Sequence, residues 1–232
     1  MKRVVAAIGL GVGALYVAGG AALTQLQRRL YYPAPDVPVQ ALNDAAGMFG
    51  CQTLTLTTTD DVSLYAWYRP ASGERAVLFF HGNAETVADR PELTAQLNMA
   101  GWDVLIPAYR GYPGSEGEPS EEGLARDADA AWAYLTQERG IPPERIVVHG
   151  KSLGGAVAAS LATRHEPAAL VLESTFTSMT DMARRFFFLY PVRWLVTDPY
   201  PTQDRAPSIR VPVLLIHGTA DRTVDRRAAN PR

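Results

Sequence analysis

The 232-residue sequence has little cysteine and almost no charge imbalance. Its single cysteine, Cys51, cannot close an intrachain disulfide, and no group of cysteines and histidines has zinc-ligand spacing, so neither a disulfide scaffold nor a structural metal is indicated. Lys and Arg number 22 against 24 Asp and Glu, which leaves no global basic field for nucleic acid. With 47% apolar residues, the chain is expected to form one globular domain held by packing.

Charge is absent from residues 4–27, a run of 24 residues rich in Val, Ala, Ile, Leu and Gly. At about 1.5 Å per residue, a helix of this length can cross a hydrocarbon layer of about 30 Å. The run therefore predicts a single-pass N-terminal membrane anchor over residues 1–29. Two basic residues precede the run and two follow it, so the charge pattern leaves the side of the membrane open.

Two alternatives to an anchor remain open for this segment. Small residues at positions 18–22 suit a signal peptidase, and five glycines weaken the run as a helix, which favours a cleaved export signal. A buried helix of a soluble protein is the second alternative. Residues 30–50 are rich in proline and predict an extended linker, so the main domain is expected to cover residues 51–232.

Short β-rich runs alternate with helical patterns from Cys51 onward. Residues 51–58 and 62–68 predict a β-hairpin. The later apolar runs lie at 76–80, 102–107, 145–148, 169–172 and 211–216, and the helical patterns at 85–99, 121–138 and 153–163. Strands without polar alternation, separated by helices, predict a doubly wound α/β domain with a mostly parallel sheet. Such sheets bind ligands beyond the carboxyl ends of their strands.

The strongest motif is HGKSLGG at residues 149–155, which lies between a predicted strand and a predicted helix. In this setting G-x-S-x-G is the nucleophile-elbow pattern, in which a tight turn exposes the serine hydroxyl at the top of the sheet. Ser152 is therefore the predicted nucleophile. A Gly/Ser turn that only caps the helix is the structural alternative.

FHGNA, at residues 80–84, follows the first parallel strand. Acyl transfer needs two backbone N–H groups that point at the developing oxyanion. The predicted donors are Leu153, which follows the nucleophile, and Asn83 in this loop. YRGYPGSEG, at residues 109–117, follows the second parallel strand, and its glycines predict a structural loop that lines the site.

HGTADRTV, at residues 217–224, follows the last apolar run. Asp221 stands 69 residues after Ser152, where the chain order Ser, Asp, His puts the carboxylate that orients a catalytic imidazole. Asp221 is the predicted acid, and Glu173 at the end of the 169–172 run is the alternative. These motifs imply no cofactor and no metal.

With HGNA, YRGYPGSEG, GKSLGG and HGTAD in this order, the sequence resembles the α/β-hydrolase superfamily. It looks most like the membrane-anchored, single-domain branch of serine aminopeptidase-like or lysophospholipase-like hydrolases, and the likeness covers about residues 30–224. The resemblance implies a serine hydrolase that cleaves a carboxylic ester, thioester or amide of a small molecule or lipid through an acyl-enzyme on Ser152. It also implies a small lid at residues 179–198, for which an ordinary core helix is the alternative.

The sequence departs from this family at the histidine. The family's general base lies after one more strand, some two to three dozen residues beyond the acid, whereas only 11 residues follow Asp221 and none is a histidine. Three interpretations stay open. The chain is a truncated hydrolase without the last strand and helix of the fold, a catalytically inactive membrane-tethered binding module, or a hydrolase with a rewired base.

Four histidines are the candidate substitutes for that base. His165 lies 13 residues after Ser152 along a helix, about 20 Å away, which is too far for a hydrogen bond. His149 precedes the elbow in a predicted strand and is interpreted as a core residue. His81 and His217 stand at strand ends, nearer the site, and are the remaining surrogates.

Overall fold

The computed structural model describes residues 2–219, apart from the side chains of Lys2 and residues 4–8. The predicted acid Asp221 therefore lies outside the described residues. The helices are α1 (Lys2–Tyr31), α2 (Val39–Met48), α3 (Pro91–Met99), α4 (Glu121–Ala133), α5 (Leu153–Ala162), α6 (Met179–Phe186), α7 (Val192–Leu195) and α8 (Thr202–Arg205). The strands are β1 (Gln52–Thr57), β2 (Ser63–Arg69), β3 (Ala76–Phe80), β4 (Asp103–Pro107), β5 (Ile146–Lys151), β6 (Ala169–Glu173) and β7 (Val213–Ile216).

The described strands form one sheet in the order β1-β2-β4-β3-β5-β6-β7. β1 and β2 make the predicted antiparallel hairpin, and β3 to β7 run parallel to one another. β3 and β4 are buried along their whole length, because the sequences AVLFF and DVLIP have no alternation of polar residues. The predicted α/β fold with a mostly parallel sheet is thus confirmed.

α5 is the buried central helix of the domain. All ten of its residues are buried, and most of them are Ala or Gly, which lets the helix approach β5, β6 and β3 closely. Because α5 follows β5 directly, its first turn lies at the carboxyl edge of the parallel strands. The predicted elbow therefore sits at the edge where ligands of such sheets bind.

Two local predictions differ from the structure. Residues 30–50 were expected to be extended, yet α2 forms there and buries Leu42 and Ala46, a pair at i and i+4, in the core. The helical pattern at 85–99 also begins later than predicted. Asp89 accepts hydrogen bonds from the backbone N–H and hydroxyl of Thr86, which favours a turn, and α3 starts with Pro91 in its first turn.

The N-terminal helix has two different halves. Within the described residues, α1 contains the one stretch that is long and apolar enough to cross a membrane, Gly9–Tyr31. Residues 9–18 are all exposed, whereas Gly20 and Gln27 on the second half are buried. α1 therefore packs against the domain mainly through its C-terminal half, and Tyr16 near the middle of the helix also contacts the domain.

The segment of residues 179–198 lies between β6 and β7 in sequence, where the family resemblance implies a lid. It consists of α6, α7 and the turn between them. In α6 only Met179 and Ala183 are buried, while Phe186 and Phe188 are 69% and 77% exposed. This segment, called the lid below, is a surface element and not an ordinary core helix.

Arg110 joins the loop after β4 to two other elements. Its Nε donates to Asp127 Oδ1 at 2.8 Å, and the Arg110 backbone N–H donates to Asp127 Oδ2 at 2.9 Å. The other two guanidinium nitrogens bind Asp60 in the β1–β2 turn at 2.8 and 2.9 Å. Since Arg110 and Asp127 are both buried, this pair fixes the 109–117 loop to α4.

Replacement of Arg110 by Met is expected to destabilise the domain by about 3 kcal/mol or more, because it leaves the Asp127 carboxylate buried without a cation. Urea unfolding of the full chain in mild detergent measures the loss. Arg126→Met is the matched control, since Arg126 also binds Asp60 at 2.8 Å but on the exposed surface, and it is expected to cost far less. Equal losses in the two variants would contradict this account.

Candidate active site

Ser152 occupies a strained turn between β5 and α5. Its φ and ψ are 52° and −115°, in a region that residues other than glycine rarely adopt. The Ser152 N–H donates to the Glu173 carbonyl at 2.8 Å, and its carbonyl accepts from Gly155 N–H at 2.9 Å and from Thr175 Oγ1 at 3.0 Å. Bonds from β6 and from the residues that follow it thus hold the turn that exposes the serine.

The glycines of the motif are required by close backbone contacts. A Cβ atom on Gly150 would overlap the Gly154 carbonyl, and one on Gly154 would overlap the carbonyls of Phe80 and His81. A Cβ on Gly155 would lie 2.5 Å from Thr175 Oγ1. The turn is therefore pressed against the end of β3, and the elbow geometry that the motif predicts is present.

The loop after β3 lies beside the elbow. Asn83 and Ser152 line the same cavity, together with Leu153. Asn83 Oδ1 accepts a hydrogen bond from the Tyr112 hydroxyl at 2.9 Å, and the next residue, Ala84, has a positive φ of 56°. Within residues 2–219, the backbone N–H groups of Asn83 and Leu153 have no hydrogen-bond acceptor. Two backbone donors are thus available beside the serine.

His81 belongs to the support of this loop. Its ring is fully buried beside Tyr109, whose hydroxyl donates to the His81 carbonyl at 2.7 Å. Burial lowers the pKa of His81, so the ring is neutral at pH 7. Because Nδ1 lies 2.9 Å from the Gly82 carbonyl, Nδ1 carries the proton. His81 is therefore held in the loop and is not placed to act on Ser152.

Charged side chains join the three strand ends around the elbow. Lys151 pairs with Glu85, whose Oε2 also accepts from the Gly82 N–H at 2.8 Å. Arg90 lies 3.3 Å from Glu173 and 3.9 Å from Glu85. The cluster connects the end of β5, the loop after β3 and the end of β6. The orientation of the loop after β3, which carries the predicted donor Asn83 and is called the oxyanion loop below, depends on these ion pairs.

The other described histidines have partners away from the nucleophile. His149 Nε2 lies 3.2 Å from Glu173 Oε2, and its ring packs edge-on against Phe79. The hydrogen bond from His149 is the main reason why the pKa of Glu173 is lowered. His165 Nε2 lies 3.0 Å from an oxygen of Asp129. Glu173, the alternative acid, is therefore committed to His149 and Arg90.

Ser152 Oγ has no imidazole partner within residues 2–219. His217 directly follows β7, whose register pairs Ile216 with Glu173 of β6, and Glu173 in turn pairs with Lys151 of β5. At about 4.8 Å per strand, the carboxyl end of β7 lies roughly 10 Å from the elbow.

The serine opens into an apolar cavity of about 350 Å³. The lid supplies most of one wall, and the end of α1 supplies Leu30 and Tyr31. The lid residues of the lining are Met179, Met182, Ala183, Phe186 and Phe187, and the other lining residues are Asn83, Ser152, Leu153 and Phe176. This volume falls within the usual range for ligand pockets, and the apolar walls suit a hydrocarbon group next to the serine.

Several residues that shape the site were not predicted from sequence. Tyr112 and Tyr109 fix the oxyanion loop, although the 109–117 motif predicted only a lining loop. Thr175 holds the Ser152 carbonyl from the segment after β6. Leu30 and Tyr31 line the cavity although they were placed in a linker. Among these residues, only Tyr109 and Tyr112 had a signal in the sequence, which is their position after the end of a predicted strand.

Comparison with known proteins gives a consistent result. Residues 71–202 match the family model described as serine aminopeptidase, S33. The chain is 41% identical over 203 residues to an uncharacterized protein of Mycobacterium tuberculosis strain H37Rv, with 85% of this chain and 70% of the relative covered. It is 35% identical over 248 residues to the alpha/beta hydrolase domain-containing protein WAV2 of Arabidopsis thaliana, with 97% and 80% covered.

A solved structure gives the same fold. The crystal structure of an alpha-beta hydrolase from Vibrio vulnificus superposes with a TM-score of 0.65 at 25% sequence identity, covering 81% of this chain and 71% of that chain. The predicted architecture is therefore found in a molecule whose sequence has diverged considerably.

Gly154→Ala is expected to destabilise the domain by about 3 kcal/mol or more, because the added methyl group must displace the backbone of β3 and not a flexible side chain. Urea unfolding of the full chain measures this loss. Gly47→Ala in α2 is the control, since a Cβ there meets nothing within 4 Å, and it is expected to be neutral or mildly stabilising. A Gly154→Ala variant as stable as the control would disprove the close approach.

Proposed function

The chain belongs to the serine aminopeptidase, S33, family of α/β-hydrolases, and from this premise we propose that it is a serine hydrolase of carboxylic ester, thioester or amide bonds. The observation that carries the proposal is the conformation of Ser152. Its strained turn exposes the hydroxyl to an apolar cavity, next to two backbone N–H groups that have no acceptor within residues 2–219. This is the arrangement that acyl transfer requires.

In the proposed reaction, Ser152 Oγ attacks the carbonyl carbon and loses its proton to a general base. The N–H groups of Leu153 and Asn83 stabilise the negative charge on the carbonyl oxygen. Collapse of the tetrahedral intermediate expels the alcohol, thiol or amine, which takes up the proton, and leaves an acyl ester on Ser152. Water then hydrolyses that ester, and the same base accepts and returns the proton.

Asp221 is proposed to orient the imidazole of that base. Its support is its place in the sequence four residues after His217, which directly follows β7 at the same sheet edge as Ser152. Ring nitrogens of His81, His149 and His165 contact the Gly82 carbonyl, Glu173 and Asp129 respectively, and none of the three rings is hydrogen-bonded to Ser152 Oγ. His217 is therefore the first candidate base among the four histidines of the sequence.

The proposed substrate is an acyl-lipid or an acylated protein. Two observations support a long apolar acyl group: the cavity wall beside Ser152 is formed by Met, Phe, Leu and Ala side chains, and part of this wall comes from α1. A freely soluble, polar substrate would gain little from such a wall, since apolar burial stabilises a bound chain by about 0.8 kcal/mol per methylene group.

α1 is proposed to be a retained membrane anchor. Leu10, Leu15 and Val17 are 69% to 76% exposed, which is unfavourable in a helix of a soluble core. A cleaved signal peptide is the alternative. The contacts of Gln27 and Tyr31 with the domain favour retention, because the end of the helix is part of the folded structure.

A membrane-tethered binding module is the second candidate function. The observation in its favour is that no imidazole contacts Ser152 Oγ within the described part of the chain. A serine without a base is a weak nucleophile at neutral pH. Binding of an acyl group in the same cavity would need neither Ser152 nor its activation.

Incubation of the chain with a fluorophosphonate is expected to add one phosphonyl group to the intact mass, and Ser152→Ala is expected to abolish this gain, because the reagent reacts only with an activated serine. Ser72→Ala, in an exposed loop distant from the cavity, is the control and should be labelled like the wild type. Loss of labelling in His217→Ala would identify His217 as the base. Absence of labelling in a folded wild-type sample would refute the hydrolase proposal and favour the binding module.

Ala183→Phe is expected to reduce the preference for long alkyl chains. Ala183 is buried in the cavity wall, so the larger ring should displace about two methylene groups of a bound chain, which corresponds to roughly tenfold in rate. The measurement is the ratio of labelling rates with long-chain and ethyl fluorophosphonates. Ala34→Phe, at an exposed position outside the cavity, should leave this ratio unchanged. An unchanged ratio in Ala183→Phe would exclude this wall as the acyl site.

A further inference from the structure

The lid is bonded to α1 along the second half of the helix. The Tyr16 hydroxyl donates to the Leu189 carbonyl at 2.8 Å, and the ring of Tyr16 stacks on Tyr190 with centroids 4.8 Å apart. One turn of helix further on, Tyr190 lies directly against Gly19. Near the end of the helix, Gln27 Nε2 donates to the Leu195 carbonyl at 3.2 Å. The lid thus contacts α1 from the middle of the helix to its last turns.

These contacts lie inside the stretch that must cross the membrane. A bilayer requires about 20 apolar residues, and the uncharged run at residues 4–27 has 24. Every window of 20 residues in that run includes residues 8–23. Tyr16 and Gly19 are therefore within the span wherever the span begins. The part of the lid that contacts them lies at the same depth.

The lid tip has the surface that such a position requires. Phe188, Leu189 and Trp194, here called the lid tip, are 77%, 69% and 84% exposed. Three arginines and one aspartate lie within residues 180–196, and long arginine side chains can carry their charge from this depth to the headgroups of an anionic membrane. In water, these exposed apolar side chains would have no favourable partner.

Polar groups along the contact between α1 and the lid, here called the seam, are paired in the way that a lipid environment demands. The Tyr16 hydroxyl and the Leu189 carbonyl satisfy each other, and Gln27 Oε1 accepts from the Thr197 N–H at 3.0 Å. The Thr24 hydroxyl returns to the Gly20 carbonyl within α1 at 2.8 Å. Unpaired groups of this kind are costly in hydrocarbon, where no water replaces the missing bond.

The seam between α1 and the lid is also a wall of the active-site cavity. A narrow crevice along the seam is lined by Leu30, Tyr31, Ala183 and Phe187, and the same four residues line the cavity that contains Ser152. The cavity thus borders the surface that α1 and the lid share. An acyl chain that lies beside α1 has a short apolar route to the serine.

We propose that the lid tip inserts into the bilayer next to α1 and that the acyl chain enters the cavity from the bilayer, between α1 and α6. The inference rests on the anchoring role proposed above for α1. The inference assigns one partner to the exposed lid tip, the acyl chains of the bilayer lipids. Continuity with the apolar surface of α1 is what selects lipid over a second copy of the chain.

The test uses the full chain in vesicles of phosphatidylcholine and phosphatidylglycerol, with and without brominated acyl chains. The chain has four tryptophans, and α1 contains none of them. Trp67 and Trp132 are buried in the domain, and Trp102 is partly buried under the Arg75 guanidinium just before β4, at the sheet edge opposite the elbow. Trp194 is therefore the residue that lipid bromine atoms are expected to quench. The expected result is a loss of emission in brominated vesicles that disappears in Trp194→Phe and persists in the matched control Trp132→Phe.

Flotation of the same vesicles separates the possible failures. If the protein floats with the vesicles but Trp194 is not quenched, α1 anchors the chain and the lid tip lies outside the bilayer, which overturns the inference alone. If the protein does not float, the anchor and the inference are both wrong. Quenching that persists in Trp194→Phe would also overturn the inference. Because the readout is independent of catalysis, an inactive Ser152 would not change the result.

Discussion

The close approach of α5 to the end of β3 is the constraint on which the rest of the site depends. Gly154 lies so near the carbonyls of Phe80 and His81 that no side chain fits between the helix and the strand. This contact fixes the first turn of α5 relative to the oxyanion loop. Leu153 and Asn83 then line one cavity together with Ser152. The strained backbone of Ser152 persists because α5 is buried along its full length.

Polar contacts convert this steric constraint into a defined loop geometry. Tyr109 and Tyr112 hold the oxyanion loop from the segment after β4, and Arg110 between them secures that segment to α4. Glu85 and Lys151 link the same loop to the elbow. These side chains come from three strand ends, those of β3, β4 and β5. Precise placement of the two N–H groups therefore arises from several weak restraints that converge on one loop.

The sequence predicted the parts of the site that have a local steric cause. A Cβ on Gly150 would meet the Gly154 carbonyl within the turn itself, so the spacing of the motif identifies the elbow from the sequence alone. The bond between Tyr112 and Asn83 joins residues 29 positions apart and leaves no periodic trace. α2 has a weak sequence signal, because Pro33, Pro35 and Pro38 precede it and only Leu42 and Ala46 mark its buried face. Asp221 stays a prediction, since it lies outside the described residues.

In the anchoring role proposed above, α1 couples the position of the site to the position of the membrane. A flexible linker after the anchor would let the serine sample many heights and orientations above the bilayer. Instead, the helix continues unbroken to Tyr31, and the next residue, Tyr32, bonds to Tyr200 in the interior at 2.8 Å. Leu30 and Tyr31 line the cavity only a few residues after the apolar run ends. The distance from the hydrocarbon to Ser152 is therefore set by helix geometry, and an acyl chain need not leave an apolar environment to reach the serine.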